Sequence, residues 1–159
     1  MRLLQRRGLS AAAILTVATT VWSVGATTTN LIAPIRVLPE ELQWSGNPQQ
    51  HGLQTAALFG NPHAAEPYAE RIKIPAHTRL RPHWHPNAIR MVTVLSGTLY
   101  FAFGEEFDET KLMPMPVGTF FTEPKGAAHF AMTKDEDVVL QLDAIGPAGT
   151  NYVTLVERP

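Results

Sequence analysis

The residues best equipped for chemistry are three histidines in two stretches. His83 and His85 are separated only by Trp84 in the proline-flanked segment RPHWHP. In extended backbone, residues two apart point to one face, so these side chains start roughly 6.5 Å apart. From there two imidazole nitrogens can converge on one divalent ion at about 2 Å each. A third histidine, His129, closes a second punctuated segment, GTFFTEPKGAAHF. The two stretches read as halves of one metal site. Imidazole serves several transition metals, so the expectation is one divalent ion, Fe, Zn, Mn, Ni or Cu, without a choice among them.

The elements that must position these groups are short. The chain has 159 residues, 45% apolar and 17% charged, enough for one folded core. Thirteen prolines and eleven glycines favour many strands and turns over a helical bundle. The near-neutral charge and the lack of a basic run beyond the N-terminus argue against nucleic acid as a partner. With no cysteine there are no disulfides and no lipid-anchored cysteine.

Strands are expected at Leu53–Phe59, Tyr68–Ile74, the His83/His85 segment, Ile89–Leu95, Thr98–Phe103, Thr119–Glu123, Phe130–Thr133, Val138–Ala144 and Tyr152–Val156. In the second of these, Glu70, Ile72 and Ile74 share one parity against Arg71 and Lys73. Leu31–Val37 reads as an edge strand and Pro39–Trp44 as a single helical turn. Trp44 reads as a core or interface aromatic, and His63, in the turn Gly60–Pro62 and beyond, as a solvated histidine. Glu105–Leu112 is a loop or helical turn. So many short antiparallel strands mean a sandwich or a barrel.

The motifs go further. His83-Trp84-His85, four residues, Arg90, six residues, Gly97 resembles the first cupin motif, G(X)5HXH(X)3–4E(X)6G. Gly118, five residues, Pro124-Lys125-Gly126, two residues, His129, three residues, Thr133 resembles the second, G(X)5PXG(X)2H(X)3N. All spacings are kept, but the opening glycine is His77, the glutamate is Arg90 and the closing asparagine is Thr133. The run VTVLSGTLYFAFGEEFDE is also similar to small single-domain cupins related to the cupin half of ChrR-type anti-sigma factors. The resemblance covers roughly Leu53 to Val156. It implies an all-β, antiparallel jelly-roll barrel with one metal inside, often as a homodimer, and with His129 turned back into the barrel as third ligand.

Arg90 is the informative departure, because a guanidinium has no lone pair to offer a metal. Two explanations stand. In one, Glu123 on the facing motif supplies the missing carboxylate or pairs with Arg90 as a swapped charge. In the other, the site is a bare three-histidine face, with Arg90 donating to an anionic ligand or a developing oxyanion. His77 reads as an exposed or supporting histidine. Tyr100, Phe103, Phe120 and Met132 are possible pocket linings, although core packing suits them better. Gln141 or Asp143, if inward, could bond a histidine from behind.

The functional expectation is an exported mononuclear metal cupin. It would be a dioxygenase-like enzyme acting on a small acidic or carbonyl compound, with Arg90 or Glu123 orienting it. The alternative is a non-catalytic small-molecule or oxidant sensor. Residues 1–26, with Arg2, Arg6 and Arg7 before an apolar stretch ending Val24-Gly25-Ala26, read as a signal peptide, possibly of the twin-arginine type. Its removal takes thirteen basic residues to ten against fourteen acidic ones and leaves no membrane anchor. The expected product is periplasmic or secreted, with an arm at 27–52 and a barrel at 53–159.

Overall fold

The computed structural model describes residues 33–46 and 52–154. The leader expected over 1–26 lies outside the described residues, as does part of the arm. Among the described residues no helix is long and apolar enough to cross a membrane. The described residues form eleven strands: β1 (Ser45–Gly46), β2 (Gln54–Phe59), β3 (Pro67–Ile74), β4 (Arg79–Trp84), β5 (Ile89–Ser96), β6 (Leu99–Phe103), β7 (Met113–Met115), β8 (Phe120–Pro124), β9 (His129–Met132), β10 (Val138–Ile145) and β11 (Asn151–Tyr152). Two antiparallel sheets result, β1-β2-β3-β10-β5-β8 and β11-β4-β9-β6-β7.

Period-two patterning decides which side chains turn inward. Along β10, buried Val138, Leu140, Leu142 and Ala144 alternate with Val139, Gln141 and Asp143. Along β5 the buried set is Arg90, Val92 and Val94. The cross-strand register then arranges inward residues in rungs. One rung is Ile72, Leu140 and Val94; the next is Glu70, Leu142, Val92 and Phe121; the last is Tyr68, Ala144, Arg90 and Glu123. The interior thus grades from an apolar end, where Ile74, Val94, Leu99, Val138 and Leu140 pack together, to a polar end. The site belongs to the polar end.

Two departures from the motif pattern are accommodated in the backbone. His77 stands at the place of the opening glycine and keeps a glycine-like φ of 56°, in the left-handed region that side chains disfavour. Thr133 stands at the place of the closing asparagine and is 1% exposed. Its hydroxyl donates to the Pro75 carbonyl at 2.6 Å and accepts the Thr78 amide at 2.9 Å. It therefore latches the end of β9 to the approach to β4. Gly97 is retained, at φ 73° in the β5–β6 turn, where an added Cβ would stand 2.5 Å from the Asp137 carbonyl oxygen.

The strand expected over Leu31–Val37 needs correction, and β1 and β7 were not expected. Residues 33–37 join no sheet. Pro34 cannot donate, and Ile35 and Val37 are exposed, so the segment has no apolar face to dock; β1 takes the edge beside β2 instead. The proline-stiffened Met113–Met115 is a strand, β7, on the edge beside β6, where prolines are tolerated. The expected helical turns are present, as single 3-10 turns at Pro39–Glu41 and Glu109–Lys111, while of the strand expected over Tyr152–Val156 only Tyr152 is paired among the described residues, in β11.

Candidate metal centre

His83 lies near the end of β4, and His85 follows just beyond it. His83 is the direct cross-strand partner of His129 on β9. The second motif's turn is bonded to the loop carrying the first: the Gly126 amide donates to the His85 carbonyl and the Lys125 amide to the Ala88 carbonyl, each at 3.1 Å. These bonds, with Gly126 at φ 72°, fold one motif onto the other. The ring centroids of the three histidines stand 5.0, 4.4 and 5.2 Å apart. One ligand nitrogen from each lies within 4.8 Å of the others.

Each ring is held through its other nitrogen. Nδ1 of His83 meets the Arg81 carbonyl at 2.7 Å, that of His85 the Gly149 carbonyl at 2.6 Å, and that of His129 the Ala127 carbonyl at 2.9 Å. A carbonyl only accepts, so every Nδ1 carries the proton and every Nε2 keeps its lone pair. Backbone support of this kind orients metal-binding histidines. Phe101 stacks on His129 from the core side, with centroids 5.3 Å apart.

Electrostatics keep the rings neutral. Burial, reinforced by neighbouring His129, lowers His83 to about 4. Burial also lowers His129 to about 4, against its bond to Ala127 and with help from the Arg90 charge. Burial and then Arg90 take His85 down to about 2. Neutral imidazole is the form that binds metal.

Glu123 and Arg90 both face this cluster, each 7% exposed. The Glu123 carboxylate stands 3.6 Å from His129 Nε2 through Oε1 and 3.7 Å from His85 Nε2 through Oε2. Arg90 Nη1 lies 3.3 Å from the same Oε2. Glu123 Oε2 and Arg90 Nε are buried without a hydrogen-bond partner. Such orphans in a folded interior call for an explanation. A divalent ion fits here: it would use three free Nε2 lone pairs and give the carboxylate a partner.

The site opens on a cavity of about 700 Å3. Tyr68, Glu70 and Asn87 join the histidines, Arg90 and Glu123 in its wall. Burial raises the Tyr68 phenol and, against the Arg90 charge, the Glu70 carboxyl. Asn87 donates to the Ile145 carbonyl at 2.7 Å but leaves Oδ1 buried and unpartnered. Sequence reasoning did not assign these three to the site. Glu70 was legible, since it shares the inward parity of Ile72 and Ile74.

Other expected positions fall elsewhere. His77 is exposed, near Asp135; His63 is exposed but reaches the cavity wall. Phe120 points outward, 60% exposed, because its neighbour Phe121 takes the inward parity. Tyr100 and Met132 lie on the face of their strands opposite to His129. Phe103 shares the His129 face but stands at the rim, 52% exposed. None of the four lines the cavity. Gln141 and Asp143 alternate with the buried leucines and bond outside: Gln141 accepts from Arg71 and donates to Asp143, both at 3.4 Å.

Comparison with known proteins is consistent with this arrangement. The family model described as cupin matches residues 68–151. Germin-like protein 2-3 of Oryza sativa subsp. japonica is 35% identical over 82 residues, which are 48% of this chain and 37% of that protein. Germin-like protein 8-12 of the same organism is 43% identical over 58 residues, 35% of this chain and 25% of that protein. The chain therefore spans well under half the length of the curated relatives it matches. Among solved structures, the polyketide cyclase RemF from Streptomyces resistomycificus superposes with a TM-score of 0.64 at 17% identity, covering 79% of this chain and 89% of that one. A cupin 2 conserved barrel domain protein from Rhodopseudomonas palustris gives 0.59 at 12% identity, covering 75% and 84%. At these identities the structural likeness speaks for the fold alone.

Proposed function

The chain belongs to the cupin family, and from that premise we propose that it is an exported, mononuclear metal cupin with enzymatic activity on a small molecule. His83, His85 and His129 hold one divalent ion. The observation that carries this reading is the set of three Nδ1–carbonyl bonds, which leaves three Nε2 lone pairs directed at one volume. A bound ion supplies Lewis-acid or oxygen-activating chemistry there.

The chain's own residues define the rest. Phe101 closes the floor behind His129. Tyr68 and Glu70 offer polar contacts from the sheet opposite and Asn87 from the loop between β4 and β5, and burial favours the protonated forms of Glu70 and Tyr68. The Tyr68 hydroxyl and the Arg90 guanidinium are donors on the cavity wall and, together with a cation, suit a small acidic or carbonyl compound. That the same fold carries a named polyketide cyclase supports an enzymatic reading.

Metal content of purified protein, with and without His83→Ala, tests the assignment. About one ion per chain is expected in the parent protein and little in the variant; equal content would refute the ligand set. Oxygen uptake by Fe(II)-reconstituted protein across diketones and thiols then separates the readings. A flat trace favours the alternative of a ligand- or oxidant-sensing module, for which the ChrR-like resemblance speaks. Periplasmic or secreted location and homodimeric assembly belong to the proposal, and are checked by cell fractionation and sedimentation.

A further inference from the structure

We propose that the carboxylate of this metal site has crossed from β5 to β8: Glu123 is its fourth protein ligand, and Arg90 is the positioning residue that holds it. This rests on the reading of the three histidines as metal ligands. In the cupin motif the glutamate belongs at the position of Arg90, on β5. Here Arg90 and Glu123 are direct cross-strand partners in an antiparallel pair. Side chains so paired leave the sheet on one face, with Cβ atoms about 4.5–5.5 Å apart. A carboxylate on either strand can therefore reach the same volume.

The distances to two of the three imidazoles agree. Two donors each ~2.1 Å from one ion are ~3.4 Å apart at a tetrahedral angle. Glu123 oxygens lie 3.6 and 3.7 Å from His129 and His85 Nε2. The orphaned Oε2 shows a carboxylate whose bonding is incomplete within the protein. Arg90, at 3.3 Å from that same oxygen, turns the carboxylate toward the imidazoles. Arg90 itself cannot ligate. The pair keeps the charge that the motif places in the barrel and adds its counter-charge, with the two strands exchanged.

The test is a chelator-competition titration with Zn(II), alongside the visible spectrum of the Co(II)-loaded protein. Four proteins are compared: the parent, His83→Ala, Glu123→Gln, and the exchange Arg90→Glu with Glu123→Arg. Glu123→Gln should weaken Zn(II) by at least about 10-fold, the lower end of what is lost with a group that only supports a metal ligand, and should alter the Co(II) spectrum, which a supporting group that does not touch the ion would leave nearly unchanged. The exchange, which restores the motif order and keeps both charges, should bind within about threefold of the parent. Parent-like Zn(II) affinity in folded Glu123→Gln overturns the assignment while leaving the three-histidine reading intact. Should Glu123→Gln fail to fold by circular dichroism, the exchange decides: a folded exchange protein binding more than about tenfold weaker overturns the proposal. A parent protein that binds no better than His83→Ala fails the underlying metal reading instead.

Discussion

Replacing Thr133 by valine separates what the second motif does for the fold from what it does for the site. Valine nearly matches threonine in shape, so the change removes a hydroxyl with little repacking. That hydroxyl makes two bonds inside the protein, to the Pro75 carbonyl at 2.6 Å and from the Thr78 amide at 2.9 Å. Thr133 is 1% and Thr78 7% exposed, so water cannot readily replace the lost partner. A buried group left unpaired costs about 1–3 kcal/mol. With one carbonyl and one amide affected, the expected loss is about 3 kcal/mol, or about 10 °C in Tm for a domain of this size. Urea denaturation of the metal-free protein measures it, with Thr133→Ser as the control that keeps the hydroxyl. Zn(II) affinity should stay within about threefold of the parent, because Thr133 touches no imidazole and its latch lies at the far end of β9 from His129. Stability within about 0.5 kcal/mol of the parent would refute the latch. A large loss of affinity in folded protein would show that this position acts on the site.

Three further outcomes follow from other residues. His77→Gly should stabilise the protein by about 1 kcal/mol, because the native φ of 56° strains a side chain but not glycine; equal or lower stability in urea would contradict this. In chelator-treated protein, stability should fall as pH drops from about 6.5 toward 4. Above that window the imidazoles are neutral in both states; within it the unfolded chain takes up protons that the folded site refuses, so His129, lowered to about 4, alone removes about 3 kcal/mol. A urea midpoint flat from pH 7 to 4.5 would count against the buried neutral cluster. Finally, Zn(II) at a thousandfold excess over its Kd should raise stability by about 4 kcal/mol, and His83→Ala should lose most of that gain in a thermal melt.

Much of this is legible in the amino-acid sequence, for physical reasons. Period-two alternation is a local property, so Val138–Ile145 and Ile89–Ser96 could be read directly. The motif spacings carried the long-range information that alternation lacks: they grouped His129 with His83, and the structure pairs the two directly across β4 and β9. What escaped was set by context. Phe103, Phe120, Tyr100 and Met132 lie on strands that were correctly placed, yet which parity is inward depends on the opposite sheet. β1 and β7 are short edge strands, recruited by their neighbours and carrying little periodicity of their own. Tyr68 was legible for the same reason as Glu70, by its parity with Ile72 and Ile74, whereas Asn87 reaches the cavity through the fold of other segments, and nothing in its own neighbourhood marks it.

On the proposed ligand assignment, a broken motif still describes an intact site at Arg90. Linear spacing assigns a role to one position on one strand, whereas the ion senses only the volume above a rung. The register that joins Arg90 to Glu123 also joins Val92 to Phe121, so it is fixed by apolar packing that neither charged residue has to supply. The same packing fixes parity. Arg90 shares the buried face of Val92 and Val94, and Glu123 that of Phe121. A surface arginine would be indifferent to that parity, but one buried beside valines must have a partner. In this barrel the nearest is the carboxylate directly across the strand. Loss of glutamate from the motif is therefore weak evidence for loss of the carboxylate when an acid stands opposite on the adjoining strand with inward parity.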